Sequence, residues 1–196
     1  YKGWWGYKSL PVFAATPDGK NMNEGPKIYI FAATKRWMDP DGDGDPSDGI
    51  DGWRLDVADE LPPEFWADWH RVVHEVNPQA YTTAEVWSNP LELIEYGGFS
   101  AAMNYHGFAI PVKGFLVDRH IRPSKFAEMM DSRRAALPRP VAEAMMNLID
   151  SHDTDRVASM IANGEKIHYD DPNHIAYNSH ASPRSNEHYE IGKLDA

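Results

Sequence analysis

The sequence predicts an α/β fold, specifically an incomplete (β/α)8 TIM barrel that comprises about strands 4 to 7 with their loops. Two observations carry this prediction: short β-rich segments end in acidic residues, and these segments recur at a regular interval. Asp56 and Glu85 lie about 30 positions apart, and Asp153 follows after roughly twice that interval, whereas one strand with its return helix takes roughly 30 residues. Because such barrels gather functional residues at the C-terminal ends of their strands, the spacing places the three acids on one rim.

The first of these segments, Asp51–Val57, reads as a buried β-strand. Side chains two positions apart on a strand point the same way, so Arg54 and Asp56 are expected to emerge side by side. A guanidinium beside a carboxylate keeps it ionised and fixes its rotamer, which a carboxylate nucleophile requires. An isolated Arg-x-Asp pair is more typical of a structural salt bridge, and it is the two acidic motifs downstream that favour a catalytic role.

Proline-bounded segments predict the helices between the strands. Leu61–Asn77 has two prolines in its first turn and ends before Pro78, and we expect its aromatic residues to pack against the barrel. Ser124–Leu137 follows a proline and ends before Pro138. Further strands are predicted at Tyr81–Trp87, which contains Glu85, at Phe99–Met103, and in the apolar stretch that starts at Met146 and runs into His152 and Asp153.

These motifs resemble the catalytic barrel of the alpha-amylase family, glycoside hydrolase family 13. Gly52–Asp56 matches the family's nucleophile strand, Glu85–Trp87 its acid/base strand, and the pair His152 and Asp153 its third carboxylate. The opening Tyr1–Gly6, together with Glu60 and the tryptophan after the acid, makes the chain most similar to the neopullulanase and cyclomaltodextrinase branch. The resemblance covers about residues 1 to 160.

The resemblance implies a retaining glycosidase that cleaves α-1,4-glucosidic bonds of maltooligosaccharides, cyclodextrins or pullulan through a covalent glycosyl-enzyme intermediate. Asp56 would be the nucleophile and Glu85 the general acid and base. Asp153 would bind sugar hydroxyls and stabilise the oxocarbenium-like transition state. The residues predicted to contact substrate are Arg54, His152, Trp87 and Tyr105.

Several aromatic residues near these motifs admit two interpretations. Trp87 stands beside the acid, which favours a stacking contact with a sugar ring. Trp4 and Trp5 fit either a sugar contact or a role in stiffening a glycine-flanked loop. Tyr105 follows the predicted sixth strand, so its position fits the wall of the cleft and a structural role equally well.

An acidic loop precedes the nucleophile strand, with six aspartates among residues 39–51. Oxygen ligands at alternate positions with glycine in the turn suit a hard Ca²⁺ ion, and like charges this close repel one another without a cation. An EF-hand would carry a glutamate where Ile50 stands, so we expect a single structural Ca²⁺ loop, with an acidic solvated turn as the alternative. The predicted ligands are Asp39, Asp41, Asp43, Asp45 through its carbonyl, and Ser47 or Asp48.

The chain departs from the family pattern in length and in two motifs. It has 196 residues, whereas a complete barrel takes about 250. No Asp-x-x-x-Asn-His motif occurs upstream, and Phe13 departs from the Pro-Asp/Lys-Leu-Asn segment that the family often has at this place. We therefore expect residues 1–196 to form a partial catalytic barrel of a longer polypeptide, with about three strands missing before it and at least one after it.

Residues 164–196 differ in character from the rest of the chain. They are polar and show neither a helical nor a strand period, so we expect a long excursion after the seventh strand. Their four histidines lack the spacing of zinc ligands, which disfavours a metal site. These histidines are His168, His174, His180 and His188.

Composition excludes several classes of partner. The formal net charge of −11 argues against nucleic acid and anionic membranes, and no run approaches the ~20 apolar residues that cross a bilayer. The absence of cysteine means that no disulfide framework constrains the fold or the compartment, and the localisation is left open. The expected partner is an α-glucan oligosaccharide or polysaccharide, and the resemblance also implies a homodimer of the full-length protein.

Two other functions are compatible with these motifs. An α-glucan transglycosylase, such as a glucanotransferase or a branching enzyme, forms the same intermediate and passes it to a sugar instead of water. A non-catalytic amylase-like barrel would have lost the acids. The presence of all three carboxylates, accompanied by Arg54 and His152, disfavours this second alternative.

Overall fold

The computed structural model describes residues 1–154 and 156–163, so the excursion predicted at residues 164–196 lies outside the described residues. The chain divides into two compact units. The first comprises Tyr1–Val86 and Pro90–Ala102, and the second comprises Trp87–Asn89 and the described residues from Met103 onward. Among the described residues, no helix combines the length and the apolar character that crossing a membrane demands.

A parallel sheet with the strand order β1-β2-β3 forms the centre of the first unit. Leu55 pairs with Ala84 at the ends of β1 and β2, so the residues that follow these strands leave the same edge of the sheet. The strand predicted at Asp51–Val57 is present as β1, but the prediction that it is buried was wrong. Within the described sheet β1 is an edge strand, and its four residues are half buried. The strands are β1 (Gly52–Leu55), β2 (Tyr81–Ala84) and β3 (Ala101–Ala102).

Three α-helices belong to the first unit, and the longest two contact each other. The helix predicted over residues 61–77 is confirmed as α2, which starts with a proline at its first position. Its buried residues recur at helical spacing and form one stripe, namely Phe65, Trp66, Trp69, His70 and Val73. The helices are α1 (Glu24–Met38), α2 (Pro63–Val76) and α3 (Leu91–Glu95).

Buried polar contacts tie α2 to its neighbours. The indole nitrogen of Trp69 donates to the hydroxyl of Thr34 on α1 at 2.8 Å. Nδ1 of His70 lies 2.9 Å from the carbonyl oxygen of Trp66 and must therefore carry the proton. Nε2 of His70 then accepts from the hydroxyl of Thr82 on β2 at 2.8 Å. A neutral imidazole thus joins the helix to the strand that precedes Glu85.

The second unit is helical in its described part. The segment from Tyr105 to Val117 is one continuous helical run in which two π-helical stretches flank α4. The helix predicted over residues 124–137 is confirmed as α5. The helices of this unit are α4 (Ile110–Val112), α5 (Pro123–Ala135), α6 (Arg139–Ala144) and α7 (Val157–Asn163).

The strand predicted from Met146 toward His152 is reduced to a single parallel bridge between Met103 and Met146. The backbone N–H of Asn104 donates to the carbonyl of Met146 at 2.8 Å, and the ladder stops there. The physical reason is the neighbouring chain, which turns into a helix at Tyr105 and so offers no further extended backbone to pair with. The apolar residues after Met146 predicted a strand, but they carry no information about whether a partner strand is available.

The buried imidazole of His70 predicts a loss of stability in mild acid. Burial lowers the pKa of His70 to about 4, whereas an unfolded histidine titrates near 6.5. Between these values the unfolded chain binds the proton and the folded chain does not, so the free energy of unfolding decreases as the pH falls from about 6.5 toward 4. We expect a decrease of about 2 kcal/mol between pH 7 and pH 5 in urea denaturation.

A matched pair of variants checks the source of this pH dependence. His70→Gln should weaken the dependence on pH, while His74→Gln, on the same helix and exposed, should keep it. Equal pH dependence in both variants would contradict the assignment to His70.

Candidate active site

Arg54 and Asp56 lie at the end of β1 and on the same side of it. Their positions two residues apart bring Nη1 of the guanidinium into hydrogen-bonding contact with Oδ1 of the carboxylate. The Asp56 side chain is 72% exposed, whereas that of Arg54 is 30% exposed. Asp56 is therefore an open carboxylate that is oriented by a cation from its own strand.

Glu85 follows β2 directly and is buried. Its backbone N–H donates to the carbonyl of Leu55 at 2.8 Å, so strand pairing continues one residue beyond the end of β2. Oε2 of Glu85 lies 3.2 Å from Nη2 of Arg54 and accepts a hydrogen bond from the backbone N–H of Val57 at 2.8 Å. A buried carboxylate requires such donors because it has lost its hydration.

One guanidinium therefore contacts both carboxylates of the first unit. Arg54 touches Asp56 through Nη1 and Glu85 through Nη2, which offsets the repulsion between the two negative charges. The two acids differ in environment, because Glu85 is 8% exposed against 72% for Asp56. Such a pair provides one accessible carboxylate that can attack and one shielded carboxyl that can exchange a proton.

His152 and Asp153 occupy a turn in the second unit. Nε2 of His152 lies 3.1 Å from Oδ2 of Asp153, and both side chains are substantially exposed. The backbone N–H of Asp153 donates to the hydroxyl oxygen of Ser151 at 3.1 Å. The turn closes through Thr154, whose hydroxyl accepts from the Ser151 N–H at 2.7 Å. The predicted third carboxylate is thus held at the tip of a short hydrogen-bonded turn.

Trp87 and Tyr105 stack in the second unit, with ring centroids 4.0 Å apart and planes at 6°. Trp87 remains half buried, but Tyr105 is 0% exposed and donates its hydroxyl proton to Ser151 at 2.8 Å. The prediction that Tyr105 contacts substrate does not fit this structure, because its ring is covered and its hydroxyl is bound internally. Tyr105 instead supports the indole of Trp87 and, through Ser151, the turn that carries Asp153.

The Trp4–Trp5 pair belongs to a groove in the first unit. The two rings stack with centroids 4.6 Å apart, and Trp5 is 76% exposed. The groove encloses about 750 Å³, and Phe13 and Glu60 also line it. Gly3 is required here, because a Cβ at this position would approach the carbonyl oxygen of Tyr7 to 2.1 Å. The loop is therefore closely packed at Gly3, while the Trp5 ring remains open to solvent.

The acidic loop after α1 gathers three of the predicted metal ligands. One carboxylate oxygen from each of Asp39, Asp41 and Asp43 lies within 4.8 Å of the others. Asp39 also accepts from the N–H groups of Gly42 at 2.8 Å and Gly44 at 3.0 Å, which folds the loop around it. Hard oxygen donors in this arrangement fit a Ca²⁺ ion.

The carboxylates of Asp45 and Asp48 do not belong to this three-carboxylate group. The Asp45 carboxylate accepts from the backbone N–H of Ser47 at 3.0 Å and caps the short turn Pro46–Asp48. Although the Asp48 side chain is exposed, partial desolvation, followed by the charges of Asp41 and Asp39, raises its pKa. The neighbouring aspartates contribute to this shift, but desolvation is its largest cause.

Three groups near the candidate residues were not predicted from the sequence. Val57 acts through its backbone N–H, for which a sequence carries no signal. Ser151 accepts from Tyr105 and from Asp153, a role that depends on tertiary structure. Desolvation, followed by the charges of Glu60 and Glu85, raises the pKa of Asp59.

Comparison with known proteins places this geometry in context. The family model for the alpha amylase catalytic domain matches residues 12–184. A cyclomaltodextrinase from a Bacillus species is 37% identical over 180 residues, which are 85% of this chain and 31% of that protein. Neopullulanase 2 from Thermoactinomyces vulgaris is 31% identical over 179 residues, which are 84% of this chain and 29% of that protein. The chain thus spans about a third of the length of these relatives.

The chain is also similar to solved structures of glycoside hydrolases. The cyclic α-maltosyl-(1→6)-maltose hydrolase from Arthrobacter globiformis, in complex with maltose, superimposes with a TM-score of 0.70 at 28% identity. The match covers 84% of this chain and 34% of that chain. A type III pullulan hydrolase from Thermococcus kodakarensis superimposes with a TM-score of 0.63 at 28% identity, covering 83% of this chain and 26% of that chain.

The shared guanidinium predicts a large cost for removing Arg54. In Arg54→Met, the buried Glu85 loses its cation, and we expect the free energy of unfolding to fall by about 2–4 kcal/mol in urea denaturation. Arg71→Met is the matched control, since Arg71 is 67% exposed and pairs with Asp68; its loss should cost less than about 1 kcal/mol. Similar losses in the two variants would contradict the special position of Arg54.

Proposed function

Because the chain belongs to the alpha-amylase family, we propose that the protein is a retaining α-glycosidase that acts on maltooligosaccharides, cyclodextrins or pullulan. The observation that carries the proposal is the contact of one guanidinium, that of Arg54, with the exposed Asp56 and the buried Glu85. The similarity to a cyclomaltodextrinase and a neopullulanase supports this substrate class.

Asp56 is the proposed nucleophile. Its carboxylate attacks the anomeric carbon, the bond from that carbon to the glycosidic oxygen breaks, and a glycosyl ester forms. The exposure of Asp56 leaves its carboxylate open to a sugar, and Arg54 fixes its orientation. In the second step water attacks the anomeric carbon, and the carboxylate of Asp56 is released.

Glu85 is the proposed general acid and base. It gives a proton to the leaving glycosidic oxygen in the first step and takes one from the attacking water in the second. Retaining enzymes keep their two carboxyl groups only about 5–5.5 Å apart, and a contact of both acids with one guanidinium suits this requirement.

Asp153 and His152 are proposed to bind sugar hydroxyl groups. Asp153 presents an acceptor at a turn that several hydrogen bonds hold, and a neighbouring imidazole can donate a hydrogen bond. Trp87 is proposed as a stacking surface for a sugar ring, because its indole is half buried and Tyr105 supports it at 4.0 Å. Aromatic faces bind the apolar faces of sugars by the same dispersion and hydrophobic forces that bind other apolar groups.

We also propose that the acidic loop holds one structural Ca²⁺ ion. Asp39, Asp41 and Asp43 would supply carboxylate oxygens, and the ion would offset their mutual repulsion. The loop leads into β1, so the ion would stabilise the approach to the strand that ends before Asp56. No chemical step depends on it.

A covalent trap tests the nucleophile. A 5-fluoro maltosyl fluoride should accumulate as an ester, because fluoride leaves readily while the ring fluorine slows the hydrolysis of the ester. Mass spectrometry of the digested full-length protein should find the added sugar on the peptide that contains Asp56. Asp56→Asn should lose the label and lower kcat on maltooligosaccharides at least about a thousandfold.

Asp51→Asn, at the other end of the same strand, is the control and should keep the label. A label on another carboxylate would refute the assignment of Asp56. Product analysis with maltotriose separates hydrolysis from transfer, since products longer than the substrate arise only when a sugar accepts the glycosyl group.

Calcium titration tests the loop. We expect saturating Ca²⁺ to raise the thermal unfolding midpoint of the protein, by the equivalent of about 2.7 kcal/mol at a hundredfold excess over Kd. Asp41→Asn and Asp43→Asn should each weaken binding in isothermal titration calorimetry, while Asp51→Asn should not. A midpoint that is insensitive to Ca²⁺ would rule out the structural ion.

A further inference from the structure

The residue directly after Asp56 has an uncommon backbone conformation. Val57 adopts φ 47° and ψ 49°, which is the left-handed region. Among the described residues, the other non-glycine residues with positive φ are Trp5 and Arg119. A β-branched side chain is disfavoured there because it clashes with its own backbone. Such a conformation persists only where the surroundings impose it, and it points to a function of the local geometry.

Three hydrogen bonds to a single residue impose this conformation. The N–H of Glu85 donates to the carbonyl of Leu55 at 2.8 Å, and the N–H of Ala58 donates to the carbonyl of Glu85 at 3.0 Å. The chain on both sides of Asp56 and Val57 is therefore fastened to the backbone of Glu85. The left-handed turn between these points aims the N–H of Val57 at Oε2 of the Glu85 side chain, 2.8 Å away.

These contacts hold one particular oxygen of the Glu85 carboxyl group, Oε2. Oε2 accepts from Val57 and lies 3.2 Å from Nη2 of Arg54. Both partners are donors that cannot accept a proton in this geometry. An oxygen that faces two donors serves as the acceptor oxygen of the group, so a proton carried by Glu85 belongs on Oε1.

We propose that the backbone amide of Val57 is a positioning group that reserves Oε2 as an acceptor and presents the transferable proton on Oε1. The proposal rests on the proposed glycosidase function. In the first step the Oε1–H bond breaks, the proton goes to the glycosidic oxygen, and that oxygen takes the electron pair of the breaking bond to the anomeric carbon. The negative charge left on Glu85 is stabilised at Oε2 by the Val57 N–H and by Arg54.

Replacing one atom tests the proposal. Incorporation of the α-hydroxy analogue of valine at position 57 of the full-length protein exchanges the N–H for an ester oxygen and keeps the side chain. The ester protein is compared with the unmodified protein on a maltooligosaccharide, whose leaving group needs a proton, and on α-maltosyl fluoride, whose leaving group needs almost none.

The expected result is selective. Hydrolysis of the maltooligosaccharide should slow by roughly tenfold to a hundredfold, a fraction of what general acid catalysis contributes, while hydrolysis of the fluoride should change by less than about threefold. Equal losses on both substrates would show that the N–H supports the fold without positioning an acid, and the proposal would fail. Unchanged rates on both would also overturn it.

Val57→Gly is the matched control for the side chain. Glycine adopts positive φ without a clash and keeps the N–H, so the ratio of the two rates should stay close to that of the unmodified protein. A glycine variant with the same selective loss as the ester protein would place the effect in the valine side chain and contradict the proposal.

A crystal structure of the ester protein tests the role of the Val57 N–H independently of the proposed glycosidase activity. If the unmodified protein hydrolyses neither substrate, the glycosidase proposal fails, but the position of Glu85 still decides the structural part. We expect the Glu85 carboxyl group to leave position 57 in the ester protein. An unchanged rotamer would show that the Val57 N–H does not hold Glu85.

Discussion

The parallel pairing of β1 (Gly52–Leu55) with β2 (Tyr81–Ala84) is the constraint on which the candidate active site depends. Its register ends with Leu55 opposite Ala84, so the next residues of both strands, Asp56 and Glu85, emerge at the same edge. A slip of one residue in either strand would turn the side chains of that strand to the opposite face of the sheet and separate Asp56 from Glu85. The two donors that contact the Glu85 carboxylate, Arg54 and the N–H of Val57, both come from β1 and the residues directly after it, so their position follows from this register.

Burying Glu85 creates a need that only neighbouring donors can meet. Its carboxylate is nearly inaccessible, and an ionised group without partners in such a place would be strongly destabilising. Arg54 and the backbone of Val57 meet this need. The left-handed conformation of Val57 is the local cost of that solution, and it is imposed because the chain on either side is hydrogen-bonded to Glu85.

Helix α2 (Pro63–Val76) packs against β1 and β2, the two strands that position Asp56 and Glu85. Its aromatic stripe is buried, and the rings of Trp53 and Trp69 meet edge to face at 6.2 Å. The neutral His70 connects the helix to Thr82 on β2. In the second unit, side-chain contacts position the turn of Asp153. The Trp87 ring stacks on Tyr105, the Tyr105 hydroxyl donates to Ser151, and Ser151 accepts from the backbone N–H of Asp153.

The sequence by itself determined the fold class, the family and the order of the motifs. The (β/α)8 class agrees with membership of the alpha-amylase family, and Arg54 beside Asp56 followed from the strand period alone. Only the tertiary structure decided that Tyr105 is buried, that the chain after Met146 forms one bridge instead of a strand, and that Val57 donates its N–H to Glu85. The reason is physical: periodicity and spacing report local conformation, whereas burial, strand partners and the direction of a backbone N–H depend on segments that are distant in the sequence.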